Sequence, residues 1–222
     1  GTRLQDLCRH GAGGVHGGPI RAALVSNMQI DVEWFLAEFP DLIRCAQLIV
    51  CYQSEKRDDS LEQEVVRVRG GRANLLIRRP PLPIKYGTHH SKFFILVFDD
   101  KLRVIIHTAN MTQEQMFKTQ GAWWQDFRFK GPASPPSCRF EEDLLDYLGH
   151  YDVPRETEVW ANMLRQMRRT DFSDARCLGL VASVPGYHRG ANVHKYGHMK
   201  VRSLLEGREF DSCFESSPLV YQ

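Results

Sequence analysis

Three polar residues within positions 86–110 have the types and the spacing for chemistry at phosphorus. They are His90, Lys92 and Asn110. A neutral imidazole can attack phosphorus, an ammonium can neutralise the non-bridging oxygens, and an amide can donate hydrogen bonds to them. The neighbouring sequence holds no cluster of carboxylates that would bind magnesium. The trio therefore predicts phosphoryl transfer that uses no metal and no other cofactor.

A strand hairpin is the element that has to position these residues. His90 and Lys92 are two positions apart, which places both side chains on one face of a strand. The runs 93–98 and 102–108 are rich in β-forming residues and are separated by turn residues, so they predict the hairpin. A turn centred on Asp100 brings His90 opposite Asn110. A His-x-Lys pair alone is a weak signal, and incidental histidines at a polar strand end are its commoner origin.

The other histidines near this pattern have different expected roles. His89 and His107 occupy alternating positions and are expected to face away from His90. We interpret His107 as structural and His89 as an outer hydrogen-bond partner of the site. A second His-x-Lys pair, His198 and Lys200, lies in a helical pattern, so we do not interpret it as a nucleophile.

The remaining pattern alternates short apolar strands with amphipathic helices. The predicted strands are residues 47–52, 74–78, 93–98, 102–108 and 177–182, and the predicted helices are 31–39, a short one after a capping box at Thr112 and Gln115, 140–148, 155–169 and 196–205. Such alternation predicts an α/β fold in which helices sandwich a mixed sheet. No apolar run approaches the roughly 18 residues that cross a bilayer, so no membrane partner is expected.

Charge and cysteine content limit the class of protein. The net charge of +2 is too small to argue for nucleic acid by itself. A basic cluster precedes the site and can bind phosphates, although a solvated face is the commoner explanation. Its members are Arg67, Arg69, Arg72, Arg78, Arg79 and Lys85. The six cysteines form no CxxC pair, and the apolar surroundings of Cys45, Cys51 and Cys177 predict buried thiols in a reduced, intracellular chain.

Three stretches carry a resemblance to a known family. They read Y-G-T-H-H-S-K-F-F from position 86, L-R-V-I-I-H-T-A-N-M from position 102 and K-T-Q-G-A-W-W from position 118. Together they resemble the tyrosyl-DNA phosphodiesterases of the phospholipase D superfamily. Val97 stands where other members of the superfamily place an aspartate, and this departure fits the tyrosyl-DNA branch. Trp123 and Trp124 could line a groove, but a core role is the commoner one for tryptophan.

The resemblance implies a role for each site residue. By position, His90 is similar to the nucleophile that forms a phosphohistidine, and Lys92 and Asn110 are similar to the residues that bind the phosphate. Tyr86 occupies an aromatic position where the family stacks a DNA base. The same resemblance implies further substrate-binding residues, namely Gln120, Ser183, Gly186, Gly197 and His198.

The resemblance also implies an organisation and a substrate. The family has two pseudo-symmetric lobes, and residues 1–222 are expected to be the N-terminal phospholipase D-like lobe. The second lobe, which supplies the general acid, is expected to follow Gln222. The implied substrates are DNA 3′ ends that carry a phosphotyrosyl or similar adduct, such as a topoisomerase-derived peptide, in nuclear DNA repair. Two alternatives stay open, a non-catalytic lobe that binds single-stranded DNA ends and a homodimeric phospholipase D-type nuclease.

Overall fold

Six strands form a single mixed sheet in the order β3-β2-β1-β4-β5-β6. The computed structural model describes residues 3–8, 18–53, 59–116, 121–214 and 216–218. The strands are β1 Ala22–Asn27, β2 Gln47–Tyr52, β3 Leu75–Arg78, β4 Phe93–Val97, β5 Lys101–His107 and β6 Ala122–Arg128. Strands β1, β2 and β3 pair in parallel, whereas β1–β4, β4–β5 and β5–β6 are antiparallel. The predicted α/β fold with a mixed sheet is confirmed.

Helices cover both faces of this sheet. They are α1 Leu4–Leu7, α2 Val32–Glu38, α3 Pro40–Arg44, α4 Ser60–Arg69, α5 Gln113–Met116, α6 Arg139–Gly149, α7 Glu158–Arg168 and α8 Gly197–Leu205. Alternate residues of β1 separate the two cores: Ala23 and Val25 pack with α1 to α4, and Ala22 and Leu24 pack with α6 and α7. Because both faces are covered, all six residues of β1 are buried.

Local signals account for the helices that the sequence predicts. The Asp31 side chain caps α2 by accepting a hydrogen bond from the Trp34 N–H at 3.1 Å. Pro40 ends α2 and begins α3. Near the other end of the chain, Gly207 has a φ of +74° just after α8, a conformation that favours glycine. The sequence did not reveal α4, in which only Leu61 and Val65 are buried among charged residues.

The prediction of a buried strand over residues 177–182 is wrong. This segment has no strand hydrogen bonds, Cys177 is exposed, and Leu178 and Val181 are 47% and 39% exposed. Just before this segment, the backbone bonds to a side chain of β6 instead of to another strand. Gln125 Nε2 donates to the Asp174 carbonyl at 3.0 Å, and Gln125 Oε1 accepts from the Arg176 N–H at 2.7 Å. The segment therefore crosses the α6 face as an irregular strap, with Leu180 and Ala182 partly buried.

Two of the three cysteines predicted to be buried follow the prediction, and so do the two adjacent tryptophans. Cys45 and Cys51 are buried, and burial raises the pKa of both thiols, that of Cys45 to about 11. Trp123 and Trp124 are partly buried and pack against the cores on opposite faces of the sheet. Within the parts of the chain that the structure describes, no helix has the length and the apolar character to cross a membrane.

Candidate active site

His90 and Lys92 lie together at the entrance of the β4–β5 hairpin. Lys92 is 5% exposed, and its Nζ donates to the His90 carbonyl at 2.8 Å and lies 3.4 Å from His90 Nδ1. The Lys92 carbonyl accepts the His107 N–H at 3.0 Å, which continues the hairpin ladder by one residue. The His90 side chain is exposed. The predicted pairing of an imidazole with an ammonium is thus present. The lysine is buried, and the histidine is exposed.

The electrostatics favour a neutral imidazole at this position. The pKa of His90 is lowered, first by its partial burial and then by the Lys92 ammonium. Burial also lowers the pKa of Lys92. An uncharged ring is the form of histidine that can act as a nucleophile. The shift in the His90 pKa therefore favours the form of the ring that attack on a phosphodiester requires.

The hairpin register differs by one residue from the sequence prediction. Phe93 faces Ile106, so continued pairing sets Lys92 against His107 and position 90 against Ala109. The predicted pairing of His90 with Asn110 is wrong, because the turn is centred between two residues, Asp99 and Asp100, rather than on one.

Asn110 lies beyond the end of β5 and is positioned by the loop after β1. Its Nδ2 donates to Gln29 Oε1 at 3.3 Å, and its backbone N–H donates to Gln115 Oε1 at 2.9 Å. The Thr112–Gln115 capping box is therefore half formed, with Thr112 Oγ1 accepting from the Gln115 N–H at 3.4 Å. Asn110 is 8% exposed, and its Oδ1 has no hydrogen-bond partner among the described residues. An unpartnered buried amide atom of this kind is available to a ligand.

The two neighbouring histidines are buried and neutral. His89 points away from His90, as predicted, and its Nε2 lies 2.8 Å from Ser26 Oγ. Burial, followed by the charges of Lys92 and His90, lowers the pKa of His89 to about 4. Burial and Lys92 lower the pKa of His107 to about 3, although the Ala109 backbone opposes part of this shift.

The prediction that His107 faces away from His90 is wrong. The shifted register puts His107 opposite Lys92, and both histidines line one cavity. The predicted structural character of His107 nevertheless holds, since its ring stacks on Phe94 with centroids 5.0 Å apart.

A cavity of about 380 Å³ opens beside the pair. Its polar end is formed by His90, Ser91, Lys92, Thr108 and Ser183, and its apolar body lies between β4, β5, α6 and the strap. Ser183 also lines a second cavity of about 260 Å³, which contains Gly197 and His198. Of the residues predicted to bind substrate, Ser183 therefore borders both the candidate nucleophile and the start of α8.

The remaining predicted binding residues lie around this path or outside it. Tyr86 is 91% exposed and adopts a φ of +70°. A Cβ added at Gly186 would lie 3.9 Å from the Pro83 ring, so this loop adjoins the segment that carries Tyr86. Gly197 begins α8 with a φ of +57°. Gln120 lies outside the described residues.

The second His-x-Lys pair and the basic cluster have structural roles. On α8 the Lys200 ammonium is buried against Asp143 at 2.9 Å, while His198 is exposed, which confirms the helical prediction for this pair. The arginines of the basic cluster bond to nearby acids or carbonyl oxygens, namely Arg67 to Glu64, Arg72 to Glu62, Arg69 to Ile43 and Cys45, Arg78 to Tyr151, and Arg79 to Asp59. Lys85 lies over the Tyr86 ring at 5.2 Å. Most of the cluster is therefore engaged within the protein.

The sequence did not reveal the polar residues behind the site. Ser26, Tyr147 and Tyr151 are buried and reach the residues that flank His90. The spacing of Tyr147 and Tyr151 on successive turns was a visible signal, but nothing in the sequence linked it to the hairpin. No group of three or more His, Cys, Asp or Glu residues that could hold a metal ion occurs within the described ranges.

Comparison with known proteins identifies the family of the chain. The family model for tyrosyl-DNA phosphodiesterase matches residues 15–222. Tyrosyl-DNA phosphodiesterase 1 of Arabidopsis thaliana is 38% identical over 217 residues, covering 92% of this chain and 34% of the relative. A probable tyrosyl-DNA phosphodiesterase of Caenorhabditis elegans is 30% identical over 205 residues, covering 89% of this chain and 42% of the relative.

The fold is also similar to that of a solved structure. Yeast tyrosyl-DNA phosphodiesterase superposes with a TM-score of 0.51 at 14% identity, over 70% of this chain and 36% of the yeast chain. This similarity concerns the fold, a phospholipase D-like lobe, and each of the three proteins extends well beyond the part that matches. Since the family model spans nearly the whole sequence, the chain belongs to the tyrosyl-DNA phosphodiesterase family, a family of hydrolases.

Proposed function

We propose that this chain provides the nucleophile half of a phosphodiesterase that cleaves the 3′-phosphotyrosyl link between DNA and a trapped topoisomerase peptide. The observation that carries the proposal is the contact of the exposed, neutral His90 ring with the buried Lys92 ammonium beside an open cavity. Family membership supports the reaction class. A nuclear location, as the resemblance implies, belongs to the same proposal and is tested by imaging a fluorescent fusion.

The proposed reaction has two displacement steps. A ring nitrogen of His90 attacks phosphorus, the bond from phosphorus to the tyrosyl oxygen breaks, and the oxygen takes up a proton. Water then attacks phosphorus, the bond to nitrogen breaks, and the product is a 3′-phosphate with His90 restored. Lys92 and Asn110 hold the non-bridging oxygens as charge develops on them. The unpartnered end of the Asn110 amide supports this role, because a joint flip of the Asn110 and Gln29 amides would give that end an N–H donor and keep the hydrogen bond between them.

The DNA strand is proposed to run from Tyr86 past His90 to the start of α8. Tyr86 offers an exposed aromatic face for a base, and Ser183 borders both cavities along the path. The same surface supports the second candidate function, in which the chain only holds single-stranded DNA ends. The two functions differ in whether His90 is required for a chemical step.

The test is a nucleophile substitution in the full-length protein. His90→Ala should reduce turnover on a 3′-phosphotyrosyl oligonucleotide by more than about 10³-fold, because no other group replaces an attacking nucleophile. His194→Ala removes an exposed histidine that contacts Ser203 and lines neither cavity, so it should leave the rate unchanged. Rapid acid quench of the unsubstituted protein should trap DNA attached to His90, detected by peptide mass spectrometry. Full activity of His90→Ala would reject the proposed reaction in favour of the binding function.

A further inference from the structure

A ring of buried hydroxyl and imidazole groups encloses the backbone that carries His90. Ser26 Oγ lies 2.8 Å from His89 Nε2 and 2.8 Å from the Tyr151 hydroxyl. The Tyr151 and Tyr147 hydroxyls are 3.1 Å apart. The Tyr147 hydroxyl in turn interacts with the Ser91 side chain, which opposes the rise in the Tyr147 pKa that burial causes. The ring therefore begins at the residue before His90 and returns at the residue after it.

The members of this ring come from separate parts of the fold. Ser26 lies on the central strand β1, Tyr147 on α6 and Tyr151 just after α6. Ser26, His89, Tyr147 and Tyr151 are all at most 6% exposed. A hydrogen-bond chain at this depth holds its geometry, because breaking any link leaves a buried polar group without a partner.

The segment around His90 has few other restraints. Residues 79–92 form neither helix nor strand, so no ladder of backbone hydrogen bonds sets the position of His90. Three further contacts act on the same segment: Gln53 Oε1 accepts from the His89 N–H at 2.6 Å, the Lys92 carbonyl accepts from the His107 N–H, and Lys92 Nζ donates to the His90 carbonyl at 2.8 Å. The side chains of His89 and Ser91 therefore supply the cross-links that residues in regular strands obtain from their neighbours.

We infer that Ser26, His89, Tyr147, Tyr151 and Ser91 form a positioning ring that fixes the His90 imidazole for attack. The inference rests on the proposed role of His90 as the nucleophile. None of the five has to touch the reacting atoms, so they are positioning residues. Displacement of a reacting group by about 1 Å can cost on the order of 100-fold in rate, so a device that prevents such displacement contributes to turnover.

The aromatic contacts of Tyr151 allow a substitution that removes only its hydroxyl. The Tyr151 ring packs against Trp160 with centroids 5.9 Å apart and against His89 at 5.1 Å. Tyr151→Phe keeps those ring contacts and removes only the hydroxyl. Thr170→Val is the matched control, because it removes a fully buried hydroxyl that bonds to the Gln166 carbonyl at 2.7 Å, away from this site.

Three measurements test the ring. Amide hydrogen exchange of the chain should accelerate at residues 89–91 by on the order of 10-fold in Tyr151→Phe, because local opening becomes easier. Histidine-labelled NMR should show altered ring resonances for His90 in the same variant. In the full-length protein, kcat should fall by about 10- to 100-fold at unchanged KM. Thr170→Val should change none of these quantities.

A second variant keeps the test decisive. Ser26→Ala breaks the same ring from β1, so the double variant should lose little more activity than either single variant. If Tyr151→Phe does not fold, Ser26→Ala serves for all measurements. Unchanged exchange, spectra and kcat in a folded ring variant would overturn the inference, as would equal losses in Thr170→Val. An active His90→Ala protein would instead overturn the proposed function, while the exchange and NMR data would still decide whether the ring positions residue 90.

Discussion

Three histidines within the hairpin region show how strongly surroundings decide what one residue type can do. His90 is exposed beside an ammonium, whereas His89 and His107 are buried and kept neutral. All three carry the same side chain within a short stretch of sequence. Only His90 combines a neutral ring with access to a ligand, and this combination separates a candidate nucleophile from structural neighbours.

The buried histidines predict a loss of stability in acid. Their pKa values in the folded chain, about 4 for His89 and about 3 for His107, lie below the ordinary value of 6.5. The unfolded chain therefore binds more protons, so the stabilisation is complete above pH 6.5 and is lost as the pH falls towards those folded values. Each histidine should lower the free energy of unfolding by up to about 2 kcal/mol between pH 6.5 and pH 5.

Urea titrations at a series of pH values measure this effect. His107→Leu should clearly reduce the pH dependence in that window, because one of the buried histidines with a lowered pKa no longer titrates. His198→Leu replaces an exposed histidine and should leave the slope unchanged. An unaltered slope in His107→Leu would mean that His107 is already protonated, or freely titrating, in the folded chain.

Tyr86 predicts a contribution to DNA binding without a contribution to stability. It is 91% exposed, so Tyr86→Ala should change the free energy of unfolding by less than about 0.5 kcal/mol. If the ring stacks on a base, the same change should weaken binding of single-stranded DNA by about 1–3 kcal/mol. Tyr86→Phe should bind nearly normally. Fluorescence anisotropy at several salt concentrations measures the DNA affinity of both variants. An affinity that does not depend on salt would argue against a phosphate-binding groove.

At the scale of elements, one carboxylate fastens the hairpin to the edge of the sheet. Arg103 on β5 directly faces Asp126 on β6, with Nε donating to Oδ1 at 2.6 Å. Lys101 donates to the same carboxylate at 2.8 Å, and Arg103 also reaches the Leu7 carbonyl at the end of α1. Arg103 is 2% exposed, so the Asp126 carboxylate, and not water, compensates its positive charge.

Asp126→Asn should therefore destabilise the chain strongly. Leaving two buried cations without their carboxylate should cost about 3 kcal/mol or more in the free energy of unfolding. Asp99→Asn is the control, because the Arg21–Asp99 pair is more than half exposed and screened by solvent, so its loss should change the free energy of unfolding far less. Denaturant unfolding compares the two variants. Equal, small effects would show that the buried cluster is dispensable for the hairpin.

At the scale of the whole molecule, the site is expected to act without a divalent metal. In the proposed reaction, Lys92 and Asn110 stabilise the phosphate oxygens, a role that a metal ion would otherwise have. Turnover by the full-length protein should therefore survive an excess of EDTA. The measurement is the cleavage rate before and after chelation, with added magnesium as the reference. An absolute requirement for a divalent ion would contradict the proposed roles of Lys92 and Asn110.

The chain spans between about a third and two fifths of the length of the curated relatives it matches. This bears on its activity in isolation. We propose that a second His-x-Lys…Asn set in the full-length protein protonates the leaving tyrosyl oxygen. The isolated chain should then turn over a tyrosyl substrate about 10²–10⁴-fold more slowly than the full-length protein. A substrate with a more acidic phenol than tyrosine, whose pKa is near 10, should lose less. Equal rates for the isolated chain and the full-length protein would place the acid within these residues.

Sequence patterns predicted the elements whose signals are local. The hairpin follows from two β-rich runs around a turn, and α2 follows from Asp31, an apolar face and Pro40, because neighbouring residues suffice to specify them. The predicted register of the hairpin was wrong by one residue, because the length of the turn decides the register. The strand expected at residues 177–182 failed because Gln125, distant in sequence, bonds to the backbone just before this segment.

The sequence by itself identified the candidate site, because the types of His90, Lys92 and Asn110 and their spacing depend only on the order of residues. The tertiary structure decided which imidazole is exposed, where the cavity opens and what surrounds the candidate nucleophile. Ser26 meets His89 across 63 positions and Tyr151 across 125. Contacts of that kind arise only when helix and sheet pack together, because burial and hydrogen-bond partners are properties of the assembled core.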